Sequence, residues 1–359
     1  MQAASAMSML QMYTRAAWLC QRQPGLAQSA AAQQLLQHLD QLLPTVQQQM
    51  GTRGLSNIMW SCAYTQHVAP VAQLLLDFVQ PSTLSGANSF DVANVLVALA
   101  KLEQQVPQQQ LEQLLAIVVS QADSAAPQAI SNSLWAIATL EQQVPQQQVQ
   151  QLVSALACKV STAAPQAISN TLWALAKLGC QVPQQQLGVL LSAFTAAGML
   201  RQANTQNIAN TLLGMAYMGQ QLPDAQLQLL LAELSAKSHL ARPQDLSNSL
   251  WAVAKLGQQV RDSKQLQQLV AALASKLSRA NTQDVANTLW AVSEMQQQLP
   301  DQQLQPMLAA VVEQVHKADP QHVSNVLLAC ARFRYVPVQL LAELKQQEHM
   351  QQILAAAIP

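Results

Sequence analysis

Charge is scarce in this 359-residue sequence. Asp, Glu, Lys and Arg make up 10% of it, divided into 18 acidic and 18 basic residues, so the formal net charge is zero. That balance provides no global field for a polyanion or an acidic membrane, and any polyanion site must be a local stripe. The five cysteines (Cys20, Cys62, Cys158, Cys180, Cys330) include no C-x-x-C pair, and an odd, scattered set disfavours a disulfide framework. The six histidines show neither H-E-x-x-H nor a carboxylate partner at ligand spacing, so no metal and no cofactor is expected. Walker, G-x-G-x-x-G and G-x-S-x-G motifs are missing as well, and no catalytic role is expected. Apolar runs such as Leu114 to Val119 fall far short of a bilayer span. Strand signals are absent.

What is present is a repeat. Aligned on an asparagine, copies of A-I-S-N-T-L-W-A-L-A-K-L-G (167–179) recur at Asn57, Asn94, Asn132, Asn170, Asn210, Asn248, Asn287 and Asn325, with steps of 37 to 40 residues. The positions two before, two after and five after the asparagine are apolar in all eight copies, as in Ile168, Leu172 and Leu175. That spacing is one helical stripe, and it defines a helix A. Pro127, Pro165, Pro243 and Pro320 alternate with Ser89, Thr205 and Thr282 at its start, residues suited to a first turn or an N-cap. A Gly or Gln turn ends it. A proline thirteen residues after the asparagine (Pro70, Pro107, Pro145, Pro183, Pro223, Pro300) then opens a helix B, apolar on one side and glutamine-rich on the other. In the sixth copy Arg261 takes that place, and Asp262 or Ser263 is expected to cap.

Two helices of three to four turns cannot bury their apolar faces alone, whereas stacked copies share one core. The expected fold is therefore all-α, a right-handed α-solenoid of about eight helix-turn-helix repeats of ~38 residues. Residues 32–359 form the array, with Leu35, Leu36, Leu39, Leu42 and Leu43 as a helix B that lacks a clear helix A before it. Val338 to Ile358 reads as a last helix B. Residues 1–31 contain Arg15 and Arg22 but no acid, which suits either a removable organellar transit peptide or a helix capping the first repeat.

Function has to be sought on a second face of helix A, carrying the asparagine and the residues four and seven after it. The fourth-after residue is always small, leaving room for a ligand, while the seventh-after column reads Tyr64, Lys101, Thr139, Lys177, Tyr217, Lys255, Glu294 and Arg332. A line of cations and tyrosines suits single-stranded RNA, because cations meet phosphates and tyrosine faces stack on bases. The candidate RNA-binding residues are Tyr64, Lys101, Lys177, Tyr217, Lys255 and Arg332, with Asn94, Asn132, Asn170, Asn210, Asn248 and Asn287. Four cations neutralising four phosphates would give a salt slope of about −2.8. The alternatives are structural. The asparagines would hydrogen-bond between repeats, and the seventh-after column would be solvated helix surface. Trp60, Trp135, Trp173, Trp251 and Trp290, three after the asparagine, read as inter-repeat packing because Val97, Leu213 and Leu328 replace them elsewhere.

The units at 129–140, 167–179, 245–257 and 284–295, each with N-x-L-W-A and each followed by a turn and helix B, resemble octotricopeptide repeats. Copies one, two, five and eight depart from the pattern, and the lysine is replaced in five of eight. The resemblance covers residues 51–359. It implies an RNA-binding protein of the chloroplast, or alternatively the mitochondrion, acting in transcript stabilisation, processing or translation without catalysis. A protein-binding scaffold of the HEAT or armadillo type is the rival, favoured by the neutral charge and glutamine-rich surface.

Overall fold

A computed structural model describes residues 5–258, 260 and 263–346, and every regular element among them is helical. The chain divides into two compact units, Met1–Leu190 and Leu191–Pro359. The first unit contains α1 (Ala6–Arg22), α2 (Ala30–Val46), α3 (Thr52–Thr65), α4 (Val71–Phe78), α5 (Pro81–Leu84), α6 (Ser89–Lys101), α7 (Gln108–Ser120), α8 (Pro127–Thr139), α9 (Gln146–Cys158) and α10 (Pro165–Lys177). After α11 (Gln184–Thr195), the second contains α12 (Ala197–Gln202), α13 (Thr205–Tyr217), α14 (Asp224–Ala236), α15 (Pro243–Leu256), α16 (Ser263–Ala274), α17 (Thr282–Glu294), α18 (Asp301–Gln314), α19 (Pro320–Arg332) and α20 (Val338–Gln346).

Asn57, Asn94, Asn132 and Asn170 lie on α3, α6, α8 and α10 of the first unit, and Asn210, Asn248, Asn287 and Asn325 on α13, α15, α17 and α19 of the second. Each of these A helices packs along the next one within its unit, while B helices such as α7 and α9, or α14, α16 and α18, pack on one another. This is the neighbour-on-neighbour arrangement of an α-solenoid.

The core follows the expected stripe. The residues two before, two after and five after the asparagine are buried in every copy, except that Leu327 is half-buried in the last. A fourth buried column was hidden by its polarity. The residue directly after the asparagine is Ser133, Thr171, Thr211, Ser249 or Thr288 in five copies, and each of these hydroxyls donates to the carbonyl four residues back at 2.7–3.0 Å. A hydroxyl satisfied by its own helix can enter the core without an orphaned donor.

Both helix ends repeat. Pro127, Pro165, Pro243 and Pro320 occupy the first helical position, whereas Ser89, Thr205 and Thr282 do so in copies that are capped instead by Asn88, Asn204 and Asn281 through capping boxes. The caps are thus one residue earlier than the Ser/Thr pattern suggests. At the other end, the residue nine after the asparagine adopts left-handed backbone in all eight copies, with φ between 54° and 64°. In seven copies the amide ten after it donates to the carbonyl five after it at 2.9–3.3 Å, closing a Schellman turn. Gly179, Gly219 and Gly257 take that backbone without cost, but Gln66, Glu103, Glu141, Gln296 and Arg334 do not. Glu103→Gly and Gln296→Gly should each stabilise by about 0.5–1 kcal/mol. Together they should raise the melting temperature by roughly 2–4 °C. Thermal unfolding by circular dichroism checks this, and a lower melting point for the double variant would refute it.

The array gains a layer at its start. Helix α1 packs along α3 as an A helix would, with Met9, Tyr13, Ala17 and Cys20 buried. The Tyr13 hydroxyl donates to Asp40 Oδ1 at 2.7 Å, and His67 Nε2 lies 2.7 Å from Asp40 Oδ2, so one carboxylate ties α1, α2 and the end of α3 together. Burial, and then the hydrogen bond to Asp40, push the Tyr13 phenol well above its ordinary value. The helix B of residues 30–46 therefore does have a helix A before it, one whose stripe carries no asparagine motif. His67 likewise has a carboxylate partner, one that lies too far away in sequence to be read as a pair.

Cys62 and Cys330 are buried in the core column, and burial pushes Cys330 up to about 11. Cys20 is buried too, whereas Cys158 is exposed. Arg261, Asp262 and residues 347–358 of the expected last helix lie outside the described residues, and of Ser263 only the helical backbone is described.

Candidate nucleic-acid interface

At 100° per residue, the positions four before, at, three after and seven after the asparagine fall within about 60° of arc on helix A. Most of these positions are exposed or half-buried, although Asn94, Val97, Asn170 and Leu213 are buried. The four-before residues, Arg53, Phe90, Gln128, Gln166, Gln206, Gln244, Gln283 and Gln321, are exposed in every case. The asparagines are half-buried, apart from Asn94 and Asn170 at 9% and 8% exposure. Trp60, Trp135, Trp173, Trp251 and Trp290 are also half-buried, and of the seventh-after residues Lys101, Lys177, Tyr217, Lys255, Glu294 and Arg332 are exposed.

The small column lies elsewhere. Ser61, Ala98, Ala136, Ala174, Ala252, Ala291 and Ala329 are 0% exposed and Gly214 is buried, so the fourth-after residue meets neighbouring helices and leaves no room for a ligand. A short side chain at that point permits close helix approach.

None of the eight asparagine side chains hydrogen-bonds to another described residue. The polar links between A helices are made by other groups. Ser56 donates to Asp91 at 3.3 Å, Thr205 to Asp245 at 2.8 Å and Ser247 to Asp284 at 2.9 Å. On the B side, Lys159 Nζ donates to the Ala122 and Ala125 carbonyls at 2.7 and 2.8 Å, Lys237 Nζ to the Ala203 carbonyl at 2.6 Å, and Lys276 Nζ to the Ser238 carbonyl at 3.0 Å. The work of ordering the stack is therefore done by serines, threonines, aspartates and lysines, with glutamines such as Gln121, Gln258 and Gln314 bonding the neighbouring repeat, and the asparagine amides stay unspent.

The aromatic groups associate along the face. In the second unit Trp251 has Tyr217 on one side, with centroids 5.2 Å apart, and Trp290 on the other at 6.2 Å, so rings from three successive A helices run together. In the first unit Trp60 and Tyr64 lie 4.4 Å apart, with Lys101 Nζ 4.3 Å from the Tyr64 ring. The tryptophans thus pack and still present ring surface.

The cations are unequal. Lys177 pairs with Glu141 at 2.8 Å and lowers the Glu141 pKa, and Arg332 pairs with Glu294. Lys101 rests on Tyr64, while Lys255 makes no ion pair among the described residues. Glu294 within the column and Glu141 beside it neutralise two of its cations. Pairs this exposed are weakened by solvent screening, so an arriving phosphate can displace them.

The exposed glutamine column had no signal in apolar periodicity, and only its constant offset from the asparagine could have marked it. Among the described residues no three His, Cys, Asp or Glu side chains are grouped to hold a metal, and no helix is long and apolar enough to cross a membrane. The chain matches no known family model, and a search of curated proteins yields no significant match.

Proposed function

We propose that this protein binds single-stranded RNA along the exposed face of its A helices and catalyses no reaction. The observation that carries the reading is the repeated, unspent asparagine amide beside a half-exposed tryptophan. Bases offer π-faces to stack and edges that take both donors and acceptors, and an amide next to an aromatic ring answers both needs. A right-handed array of about eight ~38-residue repeats, similar to octotricopeptide repeats, would present one such set per repeat. With that likeness comes the proposed setting, chloroplast or mitochondrial transcripts in stabilisation, processing or translation, with Asn94, Asn132, Asn170, Asn210, Asn248 and Asn287 among the contacts.

Lys101 and Lys255 are the seventh-after cations without a carboxylate partner, so they should supply most of the electrostatic component. At roughly −0.7 per phosphate contact, the double variant Lys101→Ala, Lys255→Ala should flatten the salt slope by about 1.4, with a similar loss of affinity for unrelated RNAs. Fluorescence anisotropy with uridine and adenosine 20-mers across a salt series measures it. An unchanged slope and affinity would assign these lysines to ordinary helix surface.

The second reading, a protein-binding scaffold, is favoured by the ion pairs that neutralise Lys177 and Arg332 and by the zero net charge. Failure of the wild-type protein to bind any RNA at low salt would move that reading ahead.

A further inference from the structure

Six copies carry a second unspent amide on the same face, one helical turn before the asparagine. Gln128, Gln166, Gln206, Gln244, Gln283 and Gln321 are all exposed, and none of their side chains hydrogen-bonds to a described residue. Taking the RNA reading as its basis, we infer that each glutamine acts with the asparagine of its own helix to read the edge of one base. The tryptophan and the seventh-after residue would hold that nucleotide without selecting it.

Two features of the site separate this pair from ordinary helix surface. Asn170 is only 8% exposed, yet its amide finds no partner among the described residues. The amide atoms are not among the buried groups left without a partner, so this end of the side chain keeps its opening to solvent and to a ligand. The pair also recurs at a fixed place on helix A. Glutamine and asparagine stand four residues apart in six copies, a separation that puts both amides on one side of the helix within reach of a single planar ligand.

Amide chemistry states what such a pair can select. A primary amide offers an acceptor beside a donor, which matches the adjacent donor and acceptor on a base edge, as in the bidentate contact of Asn or Gln with adenine. A carboxylate offers acceptors only. Among the four bases, guanine alone presents two adjacent donors, N1–H and the N2 amino group. Changing glutamine to glutamate should therefore move the preferred base at one position toward guanine. The first two copies, with Arg53 and Phe90 in place of glutamine, lack the pair and should select weakly or not at all.

The experiment selects from a random 20-nucleotide RNA pool with the wild-type protein, with Gln166→Glu and with Gln244→Glu, sequences the bound fractions and records a melting curve for each protein. Exposed glutamines should tolerate the change with unaltered melting. The expected result is a wild-type consensus in which each variant raises guanine at a single position by roughly tenfold, at a different position for each. A bound fraction unchanged by either variant, or altered evenly along its length, overturns the base-reading pair while leaving RNA binding intact. A wild-type protein that retains no RNA overturns both readings.

Discussion

Replacing Trp251 and Trp290 by leucine should weaken RNA binding by at least ~30-fold while leaving the melting temperature nearly unchanged. Leucine is the informative choice because the array already uses it in this column, at Leu213 and Leu328, so the helix accepts it. What leucine cannot supply is a flat ring. Each base–aromatic stack is worth ~1–3 kcal/mol by alanine substitution, and two stacks lost together give at least about 2 kcal/mol. The rings of Tyr217, Trp251 and Trp290 run together at 5.2 and 6.2 Å, so the loss should be concentrated in that stretch of the ligand. Binding of a uridine 20-mer, with circular dichroism as the folding control, measures it. Parental affinity in a folded double variant would return these tryptophans to the purely packing role that their aliphatic replacements suggest.

The second large effect concerns the first helix. Deleting residues 1–28 removes α1, uncovers the sides of α2 and α3 on which it packs, and leaves Asp40 with His67 alone. Tyr13 is 0% exposed, and truncating a buried aromatic side chain to alanine costs ~3–5 kcal/mol by itself. The whole deletion should cost at least ~5 kcal/mol, seen as a drop of roughly 10 °C or as a separate early transition, since repeat arrays lose stability locally through their end layers. Of the two alternatives for residues 1–31, this outcome is the one a capping helix would give. Differential scanning calorimetry of both proteins decides the matter, and coincident melting curves would show that α1 is dispensable to the array.

Much of the fold was legible because the repeat supplies eight readings of one pattern. The apolar stripe of helix A, the proline before helix B and the turn between them each recur, and chance exceptions such as Arg261 stand out against the other copies. Other features escaped for definite reasons. The buried column after the asparagine is mostly Ser and Thr, whose hydroxyls bond their own helix and so enter the core in spite of their polarity. The small column looked like space for a ligand, because helical phase places it only 40° from the asparagine, and it is the line of contact between helices. Helix α1 carries no motif, although Met9, Tyr13, Ala17 and Cys20 form a stripe that helical spacing could have exposed.

The sequence by itself determined the unit, its period, its two helices and the columns along them, because hydrophobic periodicity and proline positions act within one helix and are visible in one dimension. It also determined the scarcity of charge. Only the tertiary structure decided which polar groups are spent. Whether Lys159 faces a carbonyl, Lys177 a carboxylate, or an asparagine amide nothing among the described residues depends on what the neighbouring repeat brings within about 3 Å, a distance that no spacing along the chain encodes.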